Sequence, residues 1–164
     1  MKAAARHLLS ALDQAYARQS WHGTNLKGSL RGLSAARAAA RPGRGRHNIW
    51  ELAVHAAYWK YAIWRRLTGS KRGSFPLDGS NWFERPVPGH SGERAWRQDL
   101  ALLEETHRQL RAAVAALGPR DLARRDATGK FTNADLIAGV TAHDVYHAGQ
   151  IQLLKKLVPK AKHT

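Results

Sequence analysis

The chain contains no cysteine, which excludes disulfide bonds, thiolate metal ligands and a cysteine nucleophile together. Any metal ion held by its side chains therefore needs histidine, aspartate or glutamate as ligands. Long apolar runs are also missing, and the first 19 residues mix basic with apolar positions. We find no secretory signal and no membrane span, so we expect a cytoplasmic protein that does not bind membranes.

Acidic residues are scarce: 12 Asp and Glu accompany 27 Lys and Arg, giving a formal net charge of +15. Such an excess attracts polyanions without specifying which one. One interpretation is weak, non-specific binding of nucleic acid or of an acidic cofactor, and the other is a solvated basic surface. Only residues 41–46 and 65–72 look clustered. This scatter favours the second interpretation, because a dedicated nucleic-acid-binding stripe is denser.

No segment alternates like a strand, and four segments have helical periodicity instead. They cover residues 2–17, 48–67, 91–117 and 132–157. The second segment begins with the capping-box pair Asn48 and Glu51. A length of 164 residues suits one domain, so we predict an all-α fold over residues 1–164. The expected architecture is a single four-helix bundle with long first-to-second and second-to-third connections, residues 18–47 and 70–90.

Three histidines occupy positions where the apolar face of a helix normally carries leucine: His55, His143 and His147. The last two are four residues apart, so their imidazoles lie on one helix face, one turn apart. A single buried histidine is usually structural, but three converging in an apolar interior leave unpaired polar groups that cost about 1–3 kcal/mol each. A shared divalent ion removes this cost. The pattern predicts a metal site on His143 and His147, with His55 as the third candidate.

Three stretches carry a family resemblance that extends over nearly the whole chain. They are Trp21-His22-Gly23, the HNIWELAVH stretch from His47 to His55, and the HDVYHAGQI stretch from His143 to Ile151. Together they resemble the DinB/YfiT-like superfamily of metalloenzymes. The most specific piece is His-Asp-x-Tyr-His-x-Gly-Gln-Ile, which combines the ligand spacing with a flanking small residue and a glutamine.

The resemblance implies a four-helix bundle that binds one divalent ion through one histidine of the second helix and two of the fourth. In this sequence these ligands are His55, His143 and His147. Nickel and zinc are among the ions that such proteins bind, and iron also suits histidine nitrogen, so the identity of the ion stays open. Some members transfer low-molecular-weight thiols such as bacillithiol, and related ones are mycothiol-dependent isomerases. A homodimer is a further expectation from the resemblance alone.

Three polar residues are candidates for catalytic roles: Glu51, Asp144 and His107. Glu51 lies one turn before His55, although its capping-box position already explains it. Asp144 replaces the longer glutamate of His-Glu-x-x-His proteases, which argues against proteolysis, and it could orient a ligand imidazole although it lies off the apolar stripe. His107 could be a fourth ligand or an acid/base, but a hydrogen-bonded core histidine explains it better.

Aromatic side chains supply the candidates for a substrate pocket, namely Trp59, Trp82 and Tyr146. Aromatic residues at helical spacing are more often part of the core, and Trp82 stands apart because it lies on a long connection beside Asn81. The other histidines lie near helix ends or in loops, and we expect them at the surface: His7, His22, His47, His90 and His163.

Three histidine ligands leave coordination positions open, as catalytic sites require. We therefore predict a metal-dependent enzyme that acts on a small molecule, either as a thiol-dependent transferase or as a hydrolase. The alternative is a basic nucleic-acid-associated or interaction protein whose metal site is structural or vestigial.

Overall fold

The computed structural model describes residues 3–158, which form seven helices and no strand. These are α1 (Ala3–Tyr16), α2 (Leu26–Leu30), α3 (Ala35–Ala39), α4 (Ile49–Thr68), α5 (Gly92–Ala116), α6 (Pro119–Ala123) and α7 (Asn133–Leu157). The prediction of an all-α fold is confirmed for this part of the chain. The expected helix start at Lys2, the stop at Pro159 and the surface position of His163 lie outside the described residues.

The four long helices are α1, α4, α5 and α7. Apart from the untested start of α1, their ends match those of the four periodic segments to within one residue. The capping box at the start of α4 is present: the Asn48 side chain accepts a hydrogen bond from the Glu51 backbone, and the Glu51 carboxylate accepts one from the Asn48 backbone. Gly69 ends this helix in the left-handed conformation, with φ of 72°. Local capping chemistry thus sets the ends of the helix that carries His55.

Packing brings each long helix against two others. α4 contacts α5 and α7, and α1 also contacts α5 and α7. The interior is filled by large apolar side chains, among them Trp50, Trp96 and Ile151, which have almost no exposed surface. None of the helices within residues 3–158 combines the length and hydrophobicity that a membrane-spanning segment requires.

The long connection before α4 is more ordered than its composition suggests, because it contains α2 and α3. α2 packs on α7, and α3 packs on α4 and α5. Each has five residues, too few for hydrophobic periodicity to be recognised, but each begins at a side-chain cap, Asn25 or Ser34. The connection between α4 and α5 contains no helix and covers α4 by packing Phe75 and Phe83 around Tyr58.

A fully buried ion pair joins α4 to α7. The ammonium group of Lys60 donates a hydrogen bond to the Asp144 carboxylate, and neither side chain is exposed to solvent. Burial lowers the pKa of Lys60 and raises that of Asp144, and the attraction between the two charges opposes both shifts. The sequence pattern placed Asp144 off the apolar stripe, and the structure corrects this: Asp144 is interior because Lys60 supplies the opposite charge there.

The pair generates a prediction about stability. Replacing Lys60 by Met leaves the Asp144 carboxylate buried without its partner, and we expect a loss of about 3–5 kcal/mol in the free energy of unfolding. Asp144→Leu leaves the Lys60 ammonium group buried without a partner and should lower the free energy of unfolding by a similar amount. The double variant removes both charges and should recover most of the loss. Urea denaturation at pH 7 measures all four proteins, and strictly additive costs would contradict the proposed coupling.

Candidate metal centre

Three imidazole rings meet between α4 and α7. Nε2 of His143 lies 3.0 Å from Nε2 of His55 and 2.9 Å from Nε2 of His147. His55 comes from α4, whereas His143 and His147 lie one turn apart on α7. Packing of α4 against α7 therefore brings together the histidines that the sequence singled out, and their nearest nitrogen atoms all lie within 4.8 Å of one another.

Neighbouring acceptors fix the tautomers of the two outer rings. Nδ1 of His55 lies 2.7 Å from the backbone oxygen of Asn81, and a carbonyl oxygen only accepts, so this nitrogen carries the proton. Nδ1 of His147 likewise donates to the side-chain oxygen of Gln150 at 2.6 Å. In each of these two rings Nε2 is consequently unprotonated, and its lone pair is directed at His143.

This donor set fits a metal ion. His143 Nε2 carries at most one proton and can satisfy only one of the two lone pairs facing it, while its buried Nδ1 has no hydrogen-bond partner among the described residues. A cation between the three Nε2 atoms would remove the repulsion. Nitrogen ligands at 2.0–2.1 Å from a tetrahedral ion lie roughly 3.3 Å apart, so the two separations from His143 Nε2 need only a small expansion.

Burial also keeps these rings uncharged. Desolvation lowers the pKa of His55 to about 4 and that of His143 to about 3, and it lowers the pKa of His147 as well. Metal ligation requires neutral imidazole. At neutral pH the three side chains are therefore already in the protonation state of ligands.

Comparison with known families agrees with the motifs on these helices. The family model of the DinB superfamily matches residues 5–151, which include all three histidines. The chain belongs to the DinB superfamily. No curated protein and no solved structure matches it. Membership confirms the family resemblance.

In this DinB-superfamily chain, the connection between α4 and α5 supplies a support for His55 that sequence reasoning missed. Asn81 accepts a hydrogen bond from His55 through its backbone oxygen and one from Trp59 Nε1 through its side chain, at 2.9 Å. It is also the one non-glycine residue in the described chain with positive φ, 67°. A strained backbone held by two hydrogen bonds indicates a positioning role. The only sequence signal was its place next to Trp82.

Trp82 covers one side of the group of three histidines. Its ring stacks on His55 with the centroids 3.8 Å apart, and His47 stacks on the opposite face at 3.7 Å. His47 also bonds to Glu51 at 2.9 Å. His47 is at the surface, as expected, and one face of its ring nevertheless packs on Trp82.

Glu51 does not contact the three imidazoles directly. Its carboxylate binds Arg41, His47 and the backbone of Asn48, and its pKa is held low by the hydrogen bonds from Arg41 and His47, which outweigh the opposing effect of burial. Glu51 is therefore linked to the site through the His47 ring that stacks on Trp82. Arg41 belongs to the basic cluster 41–46, so the Glu51 carboxylate neutralises part of the positive charge of that cluster.

The other two catalytic candidates, Asp144 and His107, are buried in the interior. Asp144 follows His143 but turns to Lys60, so it does not orient a ligand ring. His107 is buried and stacks on Tyr16 with the centroids 3.7 Å apart, outside the group of three histidines. Its core position is as expected, but the expected hydrogen bonding is wrong for Nδ1, which is buried without a hydrogen-bond partner among the described residues. The fourth-ligand interpretation is thus not supported. His90, expected at the surface, is half-buried beside Asp99 at 3.2 Å.

Two cavities reach the centre from successive turns of α7. The larger, about 580 Å³, is bordered by His147, and the smaller, about 370 Å³, by His143. Trp82 and Tyr146 line the larger cavity and Trp59 lines the smaller one, so all three aromatic candidates border a cavity. Each cavity falls in the size range of small-molecule sites.

The support from Asn81 leads to a prediction about metal affinity. Asn81→Val introduces a β-branched residue that avoids positive φ, which should move the carbonyl oxygen away from His55 and weaken metal binding about 10–100-fold. Asn81→Gly adopts the same backbone conformation and serves as the matched control, losing only the Trp59 hydrogen bond. Zinc titration against a chelating dye measures both. Wild-type affinity in the valine variant would contradict the role of Asn81.

His107 leads to a prediction about pH. Burial lowers its pKa to about 3, whereas an unfolded histidine titrates near 6.5. Below pH 6.5 the unfolded chain binds a proton at His107 that the folded chain does not bind. The free energy of unfolding therefore decreases as the pH is lowered, by about 2 kcal/mol from pH 7 to pH 5. His107→Phe keeps a ring against Tyr16 and should remove this part of the loss. Urea denaturation of metal-free protein at both pH values tests it; an unchanged difference would refute the assignment.

Proposed function

We propose that the chain is a metal-dependent enzyme that acts on small molecules, with His55, His143 and His147 as the ligands of one divalent ion. The observation that carries this proposal is the convergence of three neutral imidazoles whose Nε2 atoms face a common point. Membership of the DinB superfamily supports it, because the resemblance implies one histidine from an earlier helix and two from the last long helix.

When bound, a divalent ion would supply Lewis acidity, which lowers the pKa of a thiol or water that reaches it. The chain's own residues prepare the position. Asn81 and Gln150 hold the His55 and His147 rings with Nε2 unprotonated, and the stacked Trp82 ring excludes water from one face of His55. Three protein ligands leave room for a reactant beside them.

Thiol-dependent transfer is the reaction that the surroundings favour over hydrolysis. The two cavities share no lining residue, and each borders a different histidine of the centre. Two organic reactants, a low-molecular-weight thiol and an electrophile, can therefore approach from opposite directions along α7. Hydrolysis needs only one organic reactant and water. Glu51 is proposed as a positioning residue that steadies His47 and Trp82.

The metal centre is tested by metal content and activity together. Tag-free protein from metal-supplemented cells should carry about one equivalent of nickel, zinc or iron by mass spectrometry. The double variant His143→Ala with His147→Ala should lose it, whereas His7→Ala with His22→Ala, which changes two exposed histidines, should keep it. Thermal melts confirm that both variants fold.

Activity is assayed with a panel of thiols and electrophiles, with and without chelator. We expect thiol transfer in the wild type and in the His7/His22 control, and a loss of at least 100-fold in the His143/His147 variant and after chelation. Wild-type protein without stoichiometric metal would refute the proposed centre.

Nucleic-acid binding and dimerisation stay predictions of the sequence. A DNA titration over a salt series tests the nucleic-acid binding.

A further inference from the structure

Exposed apolar side chains are concentrated at the larger cavity. Six large hydrophobic residues of the described chain are exposed, and four of them line this cavity: Trp82, Tyr146, Leu153 and Leu157. Their exposed fractions run from 37% to 63%. Apolar surface gathered in one concave place usually marks a ligand site, whereas single exposed leucines carry no such meaning. The cavity therefore offers an apolar wall next to His147.

The charged residues of this cavity all have one sign. Arg44 and Arg46 line it, and no aspartate or glutamate does. Neither arginine forms an ion pair within residues 3–158, in contrast to Arg41, which is held by Glu51. Arg41 also donates a hydrogen bond to the backbone oxygen of Arg46 at 2.6 Å and so holds the segment in place. Two uncompensated guanidinium groups are thus kept beside an apolar wall.

We infer that the larger cavity binds a small amphipathic anion: a carboxylate or phosphate ester whose anionic group meets Arg44 and Arg46 and whose apolar body lies on Leu153 and Leu157. Guanidinium groups bind carboxylate and phosphate oxygens with paired hydrogen bonds, and the volume suits a drug-sized molecule. This inference rests on the proposed function in one respect, because it assigns this anion as the reactant that reaches the metal centre beside His147.

The smaller cavity has a different character. Its charged residues are engaged elsewhere: the Arg66 guanidinium lies 4.0 Å from the Asp126 carboxylate, and the Asp135 side chain caps the start of α7. Its wall is otherwise apolar and includes the half-exposed Phe131. An anion would therefore find no unpaired guanidinium group in the smaller cavity and should bind there more weakly. The difference in charge assigns the anionic reactant to the His147 side of the centre.

Four probes that each carry an eight-carbon chain separate charge from apolar contact: octanoate, octyl phosphate, octanol and octyltrimethylammonium. Isothermal titration of metal-free protein should show octanoate or octyl phosphate binding at least tenfold more tightly than octanol, with no binding of the cation. The ratio between the two anions distinguishes a carboxylate site from a phosphate site. Equal affinity for octanol and both anions would overturn the inference.

Variants locate the site. Arg44→Gln with Arg46→Gln should weaken anion binding about tenfold or more and leave octanol almost unchanged. Arg94→Gln with Arg97→Gln, on the exposed face of α5, is the matched control with the same change in net charge, and it should bind the anions like the wild type. An equal loss in both double variants would mean that general positive charge attracts the probes, which overturns the inference.

His143→Ala separates this inference from the proposed function, because His143 borders the smaller cavity and not the larger one. The variant should lose metal and still bind octanoate. Wild-type protein that binds octanoate but takes up no metal when metal is supplied would refute the metal centre alone, and wild-type protein that takes up metal but binds no anion would refute the arginine site alone. Octanoate binding that disappears with the metal would assign the anion to the ion and overturn the role of the arginines.

Discussion

The side-by-side contact of α4 and α7 is the constraint on which the rest of this structure depends. The Lys60–Asp144 pair lies inside that contact, one residue from His143 in sequence. Two buried charges are stable only when each faces the other, so the pair disfavours sliding or rotation of one helix against its neighbour. The same contact sets the separation of His55 from the two histidines of α7. Because the contact between α4 and α7 is fixed, the relative positions of the three histidine nitrogen atoms are fixed as well.

The connections before and after α4 supply part of the support for the three imidazoles. The backbone oxygen of Asn81 orients His55, and the stacked rings of Trp82 and His47 connect the site to Glu51 at the start of α4. These contacts order the connections over the site while leaving cavities on both sides. The capping glutamate consequently has two tasks, because the carboxylate that caps α4 also holds the ring behind Trp82.

Several of these features had no signal in the sequence. A lysine in an amphipathic helix normally lies at the surface, and only a carboxylate 84 residues away explains why Lys60 is interior. Asn81 looked like an ordinary loop residue, since neither its positive φ nor its carbonyl partner can be deduced from residue type. The short α2 and α3 were missed because five residues contain less than two helical turns. His107 was placed correctly in the core, but its stacking partner comes from α1.

The sequence by itself determined the four long helices, the capping box that starts α4 and the three histidines, because helical periodicity, capping and four-residue ligand spacing are local properties. Tertiary structure alone decided that His55 meets His143, that Asp144 turns inward to Lys60, and that exposed leucines and arginines border one cavity. These arrangements join residues far apart along the chain. Their energies come from burial and charge pairing, which exist only after the helices have packed.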